Sequence, residues 1–248
     1  MLQNFFDPTQ ATEIQIPMYG KIHFITLVIM LACVPLMIWK KEAVKQLSSN
    51  RKFMVGFIIF YLAVEIFNQI LLWSFEYQPY SERFPLHLCA TLSIVLPLLV
   101  LAGRYDVIRF FTFWAVGAGF ISLVNPSFIY DDPNGFAFYH YLFRHYFLFL
   151  LPVFMFIGQG YSLNYRLLIR SMFALMGWAF IIFLVNWAFG SNYMHLGINN
   201  QTPIPFLPQK LRVWPWTYPG YVASGIILFH IFYLVFNYAE KRRQDVKL

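Results

Sequence analysis

The chain alternates long apolar runs with short polar or charged intervals, and the runs set the architecture. Seven of them, near 22–39, 53–73, 85–102, 107–124, 138–158, 167–189 and 219–238, are 18 or more residues long. A helix rises 1.5 Å per residue and a bilayer core is about 30 Å thick, so about 20 residues make one crossing. The run at 107–124 carries the weakest signal, being short and interrupted by Gly117 and Gly119. Short segments of alternating polarity, which would mark a membrane barrel, do not occur. The pattern predicts an all-α fold: one polytopic membrane domain over residues 1–248 with seven transmembrane helices.

The lysines and arginines orient that bundle. Lys40, Lys41, Lys45, Arg51 and Lys52 follow the first run, Arg104 and Arg109 the third, Arg166 and Arg170 the fifth, and Lys241, Arg242, Arg243 and Lys247 the seventh. The other side holds Lys21, Arg83, Lys210 and Arg212, a bias of 13 against 4 that alternates with every crossing. The positive-inside rule then places the N-terminus outside and the C-terminus in the cytoplasm. The same distribution argues against nucleic acid as a partner, which a net charge of +7 alone would have allowed. The terminal "EKRRQDVKL" reads as a cytoplasmic anchor. With 12% charged residues, against about a quarter in soluble domains, the chain has lipid as its solvent. Residues 1–20 lack the basic start of a signal peptide and carry Asp7 and Glu13, so they are expected as a short external tail.

Polar and ionisable side chains within a membrane are costly and mark candidate sites. Tyr61, Glu65, Asn68 and Gln69 share one face of the second run, at i, i+4, i+7 and i+8. His87 and Cys89 open the third run, and Asn125, before Pro126, closes the fourth. The fifth starts "FYHYLFRHYF", where His140 shares a face with Arg144 and Tyr141 with His145; Asn186 ends the sixth. In the predicted orientation nearly all of these fall in the outer half, from five helices. That convergence is the main functional signal in the chain. His23, His195 and His230 read as incidental.

Cys89 and Cys33 lie at different depths, so no disulfide is expected. Buried cysteines commonly just pack, but a thiolate activated by a histidine is also a strong nucleophile. On a regular helix His87 and Cys89 stand about 200° apart, so a base for Cys89 has to come from another helix, and His140 and His145 are available. Glu65, Asn68 or Asn125 could hold that base in its tautomer, and Arg144 could bind a phosphate or carboxylate or stabilise an oxyanion. Glu65 and Arg144 would equally suit a plain buried ion pair. His87, Cys89, His140 and His145 are zinc-type ligands, yet HExxH and CxxC spacings are missing, so no metal is expected. Phosphate loops, dinucleotide fingerprints and GxSxG elbows are missing too, and no cofactor is expected. Between the last two runs, "GSNYMHLGINNQTPIPFLPQKLRVWPWTYPG" reads as an interfacial loop or a lid, with a sequon at Asn200, Gln201 and Thr202. Trp214, Trp216 and Tyr218 are expected at headgroup level.

The segments "PLHLC" (85–89), "NP" (125–126), the histidine-rich fifth run, "NYMHL" (192–196) and "WPW" (214–216) together resemble the bacterial YwaF-like integral membrane family, itself similar to eukaryotic transmembrane protein 164. The resemblance implies a multi-pass protein of a bacterial plasma membrane and a lipid acyltransferase chemistry, with Cys89 as acyl-accepting nucleophile and His145 as base. Membrane phospholipids or lysolipids would be the substrates. The same site with water as acceptor would be a lipid hydrolase. A transporter or lipid-binding receptor with a non-catalytic polar pocket is the reading from another class. Transport would call for polar groups in both halves of the bundle, whereas the inner half is almost wholly apolar.

Overall fold

The computed structural model describes residues 5–7, 20–76, 80–126, 135–197, 208, 210 and 215–245. Among them are eight α-helices and no strand: α1 (Lys21–Trp39), α2 (Lys41–Ser49), α3 (Arg51–Ser74), α4 (Leu88–Leu101), α5 (Tyr105–Val124), α6 (Phe136–Gln159), α7 (Tyr165–Phe189) and α8 (Thr217–Asp245). Single 3-10 turns occur at Tyr80–Glu82 and Tyr193–His195. Six helices, α1, α3, α5, α6, α7 and α8, are long and apolar enough to cross a membrane. The chain is a multi-pass integral membrane protein.

The expected span at 85–102 forms only as the 14-residue α4, about 21 Å long. Pro85 explains the late start, because a residue before proline is driven out of the helical region. Residues 83–87 are accordingly bent or extended, and the Thr91 hydroxyl donates to the Pro85 carbonyl at 2.8 Å. The run at 107–124, weakest in sequence, becomes α5, half of whose apolar window is buried. Its glycines are the reason. A Cβ on Gly119 would stand 2.7 Å from the Phe149 nitrogen and 2.8 Å from the His145 carbonyl oxygen, so α5 and α6 touch backbone to backbone there. Such small residues are how helices approach closely in lipid.

The basic stretch after α1 is not a loop but the amphipathic helix α2, which buries Val44 and Ser48. It lies against the far end of α6, where Gly158 faces Ser48 and the Gln159 amide donates to the Ser48 carbonyl at 2.9 Å. Side-chain caps start two long helices: Asn50 accepts from the Phe53 nitrogen and Asn164 from the Leu167 nitrogen. Arg243 of α8 donates to the carbonyls of Phe156 and Gly160, closing the end of α6.

α5 and α6 form the core, and α1, α3, α4, α7 and α8 surround them. The outward surfaces are apolar: Phe60, Phe173, Ile227 and Leu234 are all exposed. That inverts a soluble fold and suits a hydrocarbon surround. His23 is a tether, donating from Nε2 to the Leu123 carbonyl at 2.8 Å and so joining α1 to the end of α5.

Candidate functional site

At the end of the bundle where α3 and α5 finish and α4 and α6 begin, charged and polar side chains meet. Glu65, only 6% exposed, takes bidentate hydrogen bonds from Arg144: Nη2 at 2.6 Å and Nε at 3.1 and 3.2 Å. His140 donates to its other oxygen at 3.2 Å and the Ser93 hydroxyl to the first at 3.2 Å. One carboxylate from α3 is thus held by α4 and α6. The helical spacing produces this: His140 and Arg144 are one turn apart on α6, so both reach the same partner. The Tyr61 hydroxyl, one turn from Glu65 and fully buried, has no hydrogen-bond partner among the described residues.

Beside this charge cluster stands a second set. The Cys89 thiol lies 3.5 Å from the Ser122 hydroxyl of α5. The Ser122 carbonyl accepts the Tyr141 hydroxyl at 2.5 Å, and the Tyr141 ring packs on the His145 imidazole with centroids 4.0 Å apart. His145 is buried, and its Nδ1 donates to the Tyr141 carbonyl at 2.7 Å. That bond puts a proton on Nδ1, so in the neutral ring Nε2 is the unprotonated nitrogen. Neither His145 Nε2 nor Arg144 Nη1 makes a hydrogen bond among the described residues. The Arg144 guanidinium is near enough to act electrostatically on Cys89, His87, His140 and His145. Within this set, no hydrogen bond joins Cys89 to His145 among the described residues. The arrangement offers a thiol, an unprotonated imidazole nitrogen and an unused cationic donor in one buried region.

The other predicted residues take different positions. His87 is the residue before α4, not a member of it, so the helical angle to Cys89 does not apply. Its Nδ1 accepts from the Met194 amide at 3.2 Å, and its ring lies near those of Tyr193 and His195, at 5.4 and 5.8 Å. Gln69 donates to the Arg83 carbonyl at 2.7 Å, holding the segment before α4 in place. Asn68 and Asn125 are buried, the latter just past α5. Asn186 is a loop organiser: its side chain bonds Ser191 and both polar atoms of the Tyr193 peptide, each at 2.8 Å.

Three participants escape sequence reasoning. Ser93 lies one turn after Cys89, and Ser122 three residues before Asn125, so helical spacing from predicted residues could have found both. His195, expected to be incidental, neighbours His87 only because the turn 191–197 folds back onto the start of α4, which no local pattern announces. The groups able to hold a metal do not come together: among the described residues no cluster of three ligating side chains exists. The sequon, Trp214 and most of the loop before α8 lie outside the described residues. Trp216 is exposed, and the Tyr218 hydroxyl donates to the Met176 carbonyl at 2.9 Å, binding α8 to α7.

A model of the TMEM164 family matches residues 18–233, nearly the whole chain, and the chain belongs to that family. No curated protein and no solved structure matches it.

Proposed function

We propose, with membership of the TMEM164 family as the premise, that this protein is a membrane acyltransferase moving a fatty acyl chain between lipids through Cys89 and His145. The observation that carries the reading is the tautomer of His145. A bond from Nδ1 to the Tyr141 carbonyl leaves Nε2 as a base in the same buried region as the Cys89 thiol. In the first step the Cys89 sulfur attacks the ester carbonyl of a phospholipid and its proton passes to His145 Nε2. The ester C–O bond breaks, the imidazolium returns the proton to the departing alcohol oxygen, and a thioester remains. In the second step the hydroxyl of an acceptor lipid attacks the thioester, His145 takes its proton, and that proton is returned to the sulfur. Arg144 Nη1 supplies the positive donor for the oxyanion or for the lipid phosphate. Sulfur and imidazole are unbonded without substrate, as is common for catalytic pairs that tighten only in the complex. Glu65 and His140 position Arg144, and His87, Asn68, Gln69 and Asn125 shape the walls.

The topology that accompanies this reading has seven crossings. α4 completes its span with the non-helical residues 83–87. The lysines and arginines then put the polar end outside and α2 with the end of α8 in the cytoplasm.

The test is covalent labelling of the full chain, purified in nanodiscs, with a lipid-like electrophile. Adducts are located by mass spectrometry in wild type, Cys89→Ala and His145→Ala. Labelling at Cys89 that falls sharply in His145→Ala supports the reading. Labelling indifferent to His145, or lipid turnover retained in Cys89→Ala, overturns it and leaves a binding pocket.

A further inference from the structure

A cavity of about 280 Å³ lies between α1, α3 and α6, walled by residues that include Met37, Met54, Phe57, Phe147, Leu150 and Phe154. Its lining is apolar, and the Tyr146 hydroxyl at its edge is already committed to the Thr26 carbonyl at 2.7 Å. Water in a cavity needs two to four polar partners, so this space suits hydrocarbon. It opens sideways where Phe53 and Phe57 are 42% and 38% exposed on the apolar outer surface. By volume it accommodates on the order of ten methylene groups at protein packing density.

Two of the cavity's wall residues, Phe143 and Phe147, stand between it and the polar cluster. Phe147 stacks on Tyr61 with centroids 3.5 Å apart, and Phe143, which lines the cavity as well, packs on the same ring at 5.3 Å. Tyr61 is one turn from Glu65, and Phe143 directly precedes Arg144. The Tyr61 hydroxyl is fully buried at this junction and without a partner among the described residues. From Met54 to Glu65 along α3 is about 16 Å, comparable to an extended fatty chain.

We infer that this cavity binds one aliphatic chain of a membrane lipid, with the carbonyl-proximal part at Phe143 and Phe147 and its methyl end at Met54 and Met37. The orientation rests on the acyl-transfer reading of the polar cluster; the occupancy by hydrocarbon does not. The volume of the cavity limits the chain it holds.

The experiment uses the full chain in phosphatidylcholine nanodiscs and synthetic phosphatidylcholines carrying a photoreactive diazirine near the carbonyl or near the methyl end of one chain. Crosslinked peptides are mapped by mass spectrometry, and acylation of Cys89 is read in the same samples. The methyl-end probe is expected to mark peptides containing Met54 and Phe154, and the carbonyl-end probe those containing Phe143 and Phe147. Met37→Trp narrows the cavity and is expected to lose most methyl-end crosslinks and to favour shorter chains. Phe154→Ala lengthens it and is expected to favour longer ones, which keeps the inference testable if the tryptophan variant fails to fold. Crosslinks spread over the lipid faces of α7 and α8 overturn the site, as does chain preference unmoved in two well-folded variants. The two probes exchanging places overturns the orientation. Cys89 acylated while crosslinks scatter removes the chain site and leaves acyl transfer standing. Ordered crosslinks with Cys89 never acylated support the chain site and remove acyl transfer.

Discussion

Removing the Glu65 carboxylate tests how the polar end is held. In Glu65→Gln the side chain keeps its size but loses its charge, and the Arg144 guanidinium, 18% exposed, is left without its anion. Three nitrogen–oxygen contacts between 2.6 and 3.2 Å are weakened together with those to His140 and Ser93. Breaking a buried pair by removing one partner costs about 3–5 kcal/mol, mostly because the surviving charge stays out of water. For a chain of this size about 2–4 °C accompanies each kcal/mol, so the midpoint should drop by about 6–20 °C. Arg144→Gln should cost less, since His140 still bonds the carboxylate that remains. Glu65→Gln with Arg144→Gln removes both charges and should melt above Glu65→Gln alone, the non-additivity expected of contacting groups. Tryptophan fluorescence against temperature in one detergent measures all three. A shift under about 2 °C for Glu65→Gln, or a double variant whose loss is the plain sum of the singles, would refute the coupling.

Gly119→Ala should separate α5 from α6, because its Cβ would collide with backbone atoms of Phe149 and His145; a loss of about 1–3 kcal/mol and of Cys89 labelling is expected, and unchanged melting would count against backbone contact there. Asn186→Ala removes three bonds to the turn at Ser191 and Tyr193, where Met194 and His195 adopt φ of 55°, a conformation costly for residues other than glycine. Proteolytic cleavage within 191–197 should therefore rise, and an unchanged digestion pattern would show that the turn is held elsewhere. Burial pushes the pKa of His195 down, so the folded state resists its protonation more than the unfolded state does. The stability it contributes is full above the unfolded value near 6.5 and falls as pH drops through it. Protection factors in 191–197, measured against the intrinsic exchange rate at each pH, should consequently fall between pH 7.5 and pH 5 in wild type and less so in His195→Gln, with an equal fall in both removing His195 as the cause.

Periodicity exposes the helices readily, because lipid demands uninterrupted apolar length and the chain supplies it at six places. It errs where the rule depends on what lies between. The apolar run at 85–102 counts Pro85 and His87 as helix, although proline forces the preceding backbone open and α4 begins only at Leu88. The basic run after α1 hides α2, whose buried Val44 and Ser48 are outnumbered by charges suited to the surface. Glycines in α5 lower its helical signal and yet are what lets it become a central helix. For the polar end, the face Tyr61, Glu65, Asn68 places the carboxylate, and the i, i+4 pair His140 and Arg144 places its partners, so the ion-pair cluster is legible. What pairs with Cys89 is not, because Ser122 comes from a different helix and only tertiary packing brings the two together.

The distribution of buried charge also bears on what kind of site this is. Among the described residues, the fully buried ionisable side chains His23, Glu65, His140 and His145 all lie toward one end of the bundle. Buried polar groups at the other end include the hydroxyls of Ser48, Thr112 and Ser171, which donate to the carbonyls of Lys45, Ile108 and Phe110, and the Arg109 Nε, which has no hydrogen-bond partner among the described residues. A carrier that alternates access has to stabilise its cargo through the midplane and out of both faces. Here, beyond the cluster, the interior offers Phe113, Met155 and Phe156, and the cavity next to it has an apolar lining. Such an interior can store an aliphatic chain but offers a charged headgroup few partners between the polar cluster and Arg109. The fully buried ionisable groups thus gather at one end of the bundle, an arrangement that suits the proposed acyl transfer better than passage from face to face.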